Sequence, residues 1–195
     1  MKLSLIATIV VLPILLLSCG IPEDSKPVSV VSPLIDRTEI QVDEVQSGES
    51  RSEYIYLFDE NERLSPVLRV IPRAELRVTD LINELTADLL PIERKATLST
   101  TVPSGLSLAG VTQENDLAII NFNYGGLELI EGDELAKALA QIVWTLTETG
   151  DLDSIIISIE GDIKTWPTTN SGDQQLLRRI QFMSYAPDVT IGITG

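Results

Sequence analysis

Apolar and polar positions follow different periods along this chain, and each change of period marks an expected element. Leu3 to Leu17 is apolar apart from Ser4 and Thr8, with Pro13 inside it. Gly20 to Ser52 has no sustained period; three prolines, six serines and seven acids are spread through it, and it holds no aromatic residue. From Glu53 the pattern is that of a folded domain. Tyr54 to Phe58 is a strand-forming run, Asp59 to Glu62 a polar turn and Leu64 to Ile71 a second strand, so a hairpin is expected. Pro66 lacks an amide donor, which puts the regular part of the second strand from Val67 onward. Val78, Leu81, Ile82, Leu85 and Leu89 recur at helical spacing and predict a helix over 78–90, capped by Thr79 and ended by Pro91.

Beyond the connector Thr101-Val102-Pro103-Ser104-Gly105, a second hairpin is expected from Leu106 to Thr112 and Leu117 to Phe122, about a turn at Glu114-Asn115-Asp116. The next helix has the clearest signals: Asp133 as cap, Glu134 in the first turn where the helix dipole favours an acid, and Gly150 past its end. Its buried stripe is Leu135, Leu139, Ile142, Val143 and Leu146, and helical spacing puts Trp144 nearly opposite, beside Lys137, Gln141 and Glu148. Trp144 therefore either packs under another segment of the chain or marks a surface for a partner. Ser154 to Glu160 reads as a central strand, turned by Gly161-Asp162. The remainder reads as a loop over 165–172, a short helix over 173–183 and a frayed end at 191–195.

The N-terminal run is fifteen residues, shorter than the roughly 20 a membrane-spanning helix needs, and Lys2 precedes it. A processed signal peptide over residues 1–18 is the expectation. Leu16-Leu17-Ser18-Cys19 resembles the bacterial lipobox, in which the cysteine thiol receives diacylglycerol and becomes the new N-terminus. The bland alternative leaves Cys19 as a small residue at the edge of an ordinary signal peptide. Cys19 is the one cysteine of the chain, so no intramolecular disulfide holds the fold. Two acyl chains give the stable attachment that one cannot. The stretch 19–52 then reads as an acidic Pro/Ser-rich tether, too polar to offset its ordering entropy. A second reading lets Val28 to Val31 or Thr38 to Val42 add an edge strand to the domain.

Charge narrows the partners. The formal net charge is −15, or −16 once Lys2 leaves with the leader. Such a chain repels nucleic acid and anionic headgroups, so it stands off the membrane that anchors it. There is no histidine. Ser104 lacks the Gly-x-Ser-x-Gly surroundings and a histidine base, which makes Pro103-Ser104-Gly105 turn chemistry. The acids of Asp59 to Glu62 lack the ligand pattern of an EF-hand loop and read as a solvated turn. Arg178 and Arg179 either pair with nearby acids or form a basic binding spot. No metal ligands, catalytic residues or cofactor are expected.

The order strand, strand, helix, strand, strand, helix, strand now carries specific residues that resemble a family. Tyr54 to Phe58 with Leu64 to Arg69, Thr101 to Gly105, Ala118 to Phe122, Gln141-Ile142-Val143-Trp144-Thr145-Leu146-Thr147 and Ile155 to Gly161 are together similar to the GerMN domain of sporulation and germination proteins. The resemblance covers 53–163 and leaves 164–195 as a C-terminal extension. It implies a two-layer α+β domain, with two helices on one face of a small mixed sheet, similar to the ring-building modules of secretion and sporulation machines. It also implies an envelope module at the extracytoplasmic face of the cell membrane that binds a protein partner or copies of itself without catalysis. With one such domain, assembly into a ring is in doubt. Trp144, Arg178 and Arg179 are the candidate partner surface. Two other readings stand beside this one: a cell-wall glycan enzyme working through two carboxylates across a cleft, and a carrier needing a sizeable apolar pocket.

Overall fold

The computed structural model describes residues 50–73 and 76–188. Cys19 and its lipobox, the alternative edge segments within 28–42 and the end at 191–195 lie outside the described residues. The fold is α+β, a mixed sheet with helices packed against it. β1 (Ser50–Phe58) and β2 (Leu64–Pro72) pair antiparallel in full register as a ladder of their own, whereas a single small sheet was expected. The strand runs through Pro66 without loss, contrary to the sequence expectation. Pro66 stands opposite Tyr56, whose amide and carbonyl turn away from β2 toward Thr145 Oγ1 and Gln141 Nε2. At such a position the partner strand has no use for an amide donor.

α1 (Arg77–Thr86) buries Val78, Leu81, Ile82 and Leu85 of the expected stripe, whereas Leu89 falls beyond the helix and is partly buried. It ends at Thr86, four residues short of expectation, and Thr79 lies inside it without capping. Leu90 precedes a proline and is held extended at φ −65° and ψ 153°, so the helix cannot run on to it. Pro91 starts a helix instead of ending one, standing at the first position of α2 (Pro91–Lys95).

β3 (Leu108–Glu114) and β4 (Leu117–Phe122) form the second hairpin, with a bulge between Leu108 and Gly110. β4 runs parallel to β5 (Ser154–Ile159), which is paired on its other side by β6 (Asp162–Ile163) and β7 (Leu176–Leu177). Ile155, Ile157 and Ile159 point into the core from this central strand. The β5–β6 turn carries positive φ at Glu160 (51°) and Gly161 (88°), the geometry a two-residue hairpin loop requires.

α3 (Gly132–Leu146) lies at the centre. Its cap is Glu131, because Asp133 is engaged elsewhere, accepting from Lys137 Nζ at 2.7 Å and from the Tyr185 hydroxyl. Of the expected stripe, Leu139, Ile142, Val143 and Leu146 are fully buried and Leu135 only partly, and the opposite side is buried as well at Gln141, Trp144 and Thr145. The hairpin covers that second side, with β1 running along the helix.

Residues 164–188 pack into this same core through Trp166, Leu177 and Phe182. The expected helix over 173–183 is absent. Leu177 pairs with Ile155 along β5, Ile180 is exposed, and a 3-10 segment over Arg179–Tyr185 follows. The burial of β5's edge decides this stretch over its own helical spacing.

Candidate functional site

β1 and α3 position the face on which the candidate residues meet. Alternation puts Ser52, Tyr54, Tyr56 and Phe58 on one face of β1, with Val70, Leu68, Pro66 and Leu64 opposite them on β2. The Tyr56 and Trp144 rings lie 5.5 Å apart, tilted by 57°. Arg179 stacks over both, with Cζ 4.7 Å from the Trp144 ring centroid and 5.9 Å from that of Tyr56. Its guanidinium donates to Glu148 Oε2 (2.8 Å), the Trp144 carbonyl (3.0 Å) and Thr147 Oγ1 (2.7 Å). The Tyr56 hydroxyl also donates to Glu148. Burial, and next the Glu148 carboxylate, push the Tyr56 hydroxyl well above its usual range.

Of the sequence-predicted residues, Trp144 and Arg179 are brought together and Arg178 is not. Trp144 is 8 % exposed, the outcome in which another segment of the chain covers it, and Arg179 of that segment pairs with an acid. Arg178 is exposed and rims an open groove of about 590 Å³ with Thr147, Leu152, Asp153 and Ile180. The tail covers only part of the hairpin face. Tyr185 packs edge-on against Phe58 at 5.6 Å and Arg179 covers Tyr56, but Tyr54, Leu68 and Val70 continue the same face uncovered. Sequence reasoning missed Leu68 and Val70. They alternate with the buried Arg69, and that period-2 pattern of two apolar positions around a charge was the available signal.

The buried charged side chains Glu53, Arg69, Asp80 and Glu93 are engaged in holding the fold. Arg69 donates to both oxygens of Glu93 (2.8 and 2.6 Å) and to Glu84, tying β2 to α1 and α2. Burial opposes ionisation of Glu93, but Arg69 and the Leu90 amide outweigh it and hold the carboxyl below its ordinary value. Arg77 grips both oxygens of Glu53, and Arg51 pairs with Asp80. In the β1–β2 turn, Asp59 Oδ1 accepts from the amides of Asn61 and Arg63, which is turn chemistry. Ser104 is exposed. Among the described residues no group of three or more His, Cys, Asp or Glu side chains could hold a metal ion.

The Germane family, described by sporulation and spore germination, matches residues 54–165. No curated protein matches the chain. Among solved structures, the tandem GerMN domains of the sporulation protein GerM from Bacillus subtilis are similar at 20 % identity and TM-score 0.53, covering 67 % of this chain and 47 % of that one. This chain thus corresponds to about half the length of the tandem. The first GerMN domain of the same protein aligns at 18 % identity and TM-score 0.49, over 67 % of this chain and 98 % of that one. A candidate lipoprotein from Clostridium perfringens aligns at 16 % identity and TM-score 0.45, over 70 % and 92 % of the two chains. At these identities the likeness is one of fold.

Proposed function

Since the chain belongs to the Germane family of sporulation and spore germination, we propose that it is a non-catalytic lipoprotein of the bacterial envelope whose domain binds a protein partner. The observation that carries this reading is the uncovered end of the hairpin face. Tyr54, Leu68 and Val70 are 44 %, 55 % and 71 % exposed, whereas Tyr56 and Phe58 on the same face are covered by the chain's own tail. A contiguous apolar face left open beside a covered part of the same hairpin is what a partner surface requires. Arg179 and Trp144 stiffen its covered end, and Arg178 is exposed nearby in sequence.

Anchoring through diacylated Cys19 at the extracytoplasmic face of the membrane is the second part of the proposal. It rests on Leu16-Leu17-Ser18-Cys19, and among the described residues no helix is long and apolar enough to cross a membrane. β1 already begins at Ser50, ahead of the expected Glu53, and the tether that remains, 19–49, would span roughly 100 Å if fully extended, enough to lift the domain clear of the headgroups.

One experiment tests both parts: a proximity-crosslinking pull-down from intact cells. Leu68→Ser with Val70→Thr is expected to keep the melting temperature and lose a discrete partner that wild type recovers. Cys19→Ala is expected to release the protein from the membrane fraction. Undiminished recovery by the double variant, or detergent-dependent membrane retention of Cys19→Ala, contradicts the corresponding part.

A further inference from the structure

The tail that covers the turn end of the hairpin face reaches its last described residue beside the start of β2. Arg63, the residue before β2, donates from Nη1 to the Ser184 carbonyl, and its Nε lies 3.9 Å from the Asp188 carboxylate. Ala186, at φ −52° and ψ 147°, is held extended ahead of Pro187, so the chain leaves its 3-10 segment as extended backbone. Seven residues follow, Val189 to Gly195, and β2 has as many from Leu64 to Val70. At the roughly 3.3 Å per residue common to both, a strand that starts level with Leu64 ends level with Val70.

β2 can receive such a strand between its prolines. Pro66, Leu68, Val70 and Pro72 alternate with the positions bonded to β1, so their backbone groups face the outer edge. The two prolines supply no amide there, whereas Leu68 and Val70 do, and no hydrogen bond from another described residue reaches either. The sequence of the end fits this edge. Val189, Ile191 and Ile193 alternate with Thr190, Gly192 and Thr194, the pattern of a half-buried strand. With Asp188 level with Arg63, in-step parallel pairing sets Val189, Ile191 and Ile193 level with Leu64, Pro66 and Leu68, and therefore on the same face. In a chain of net charge −15 the segment 189–195 carries no charge, so it can lie beside Tyr54 and Leu68 without burying one.

We propose that Val189–Gly195 adds as a parallel strand to the outer edge of β2 and covers the open part of the hairpin face. The inference rests on the reading of that face as a partner surface, and adds that a partner must displace the chain's own end to reach it. Main-chain hydrogen bonds to Leu68 supply the hold, as in other strand additions, and Pro66 keeps it weak enough to yield. Within one chain the segment is already delivered to the edge by Arg63, whereas the same segment of a second copy would have to approach against the repulsion of two chains of −15 each.

The test uses the purified full chain with a photo-crosslinking residue at position 68, and position 92 as the exposed control. An adduct between position 68 and residues 189–195 is expected, formed within one chain when isotope-labelled and unlabelled chains are mixed, and absent from position 92. The Leu68 amide should be protected from hydrogen exchange. Ile191→Asp with Ile193→Asp should abolish both signals and leave the tryptophan emission of the folded domain unchanged. In the pull-down from intact cells that variant should recover about threefold more partner than wild type, because a closed face lowers the apparent affinity by the fraction of chains left open. No adduct to 189–195, an adduct only between copies, a Leu68 amide that exchanges freely in wild type, or equal partner recovery by the variant would each overturn the proposal. The purified chain is read without any partner, so failure to recover one from either form counts against the partner surface and leaves the adduct and exchange results to decide the strand.

Discussion

Gln141 donates from Nε2 to the carbonyl of Tyr56 at 3.0 Å, joining α3 to the edge of β1 across 85 residues. Its Oε1 accepts from the Thr101 amide at 2.8 Å and the Thr101 hydroxyl at 2.9 Å. One fully buried amide side chain thus ties together the hairpin, the connector and the central helix. Gln141→Leu keeps the volume and strands those groups, each at a cost of about 1–3 kcal/mol. A fall in melting temperature is expected, and an unchanged one would show that the hairpin is held elsewhere.

Arg179 is the cover of Trp144. Arg179→Ala should expose the indole, shifting tryptophan emission to the red and raising its quenching by acrylamide, while Trp166, itself 5 % exposed, stays shielded. Spectra indistinguishable from wild type would mean that Tyr56 and α3 suffice to bury Trp144.

Glu93 makes stability depend on pH in a defined direction. Its carboxyl is held below the ordinary 4.5, so the folded state favours the charged form. That contribution is present above 4.5 and lost as the pH falls below it. Glu93→Gln leaves the buried Arg69 with Glu84 as its remaining carboxylate partner, at a cost of up to about 3 kcal/mol near neutral pH. Denaturant unfolding should show the gap between wild type and variant narrowing below 4.5. A gap that stays constant through that range contradicts the assignment.

Legibility in the sequence followed how local each cause was. Both hairpins, the stripes of α1 and α3 and the central strand of isoleucines rest on period and turn residues, which neighbouring positions specify. Helix ends were less legible: Asp133 has the chemistry of a cap but accepts from Lys137 and Tyr185, and Pro91 could as well begin a helix as end one. What escaped entirely was decided at long range. The second buried side of α3 depends on β1, more than 80 residues away, and the strand at Leu176–Leu177 exists because β5 has an edge to fill. Trp144 was legible as an anomaly on a polar helix face, but its cover, Arg179, comes from a stretch whose own spacing suggested a helix.

Binding through the uncovered hairpin face is tested most directly by a photo-crosslinking residue at position 68 in the lipidated protein in intact cells, compared with the same residue at position 92. Ile92 is 70 % exposed on α2 and serves as the control for mere exposure. A discrete adduct from position 68, absent from position 92, is the predicted result. No adduct from position 68, or the same adducts from both, would contradict the hairpin face as the partner surface.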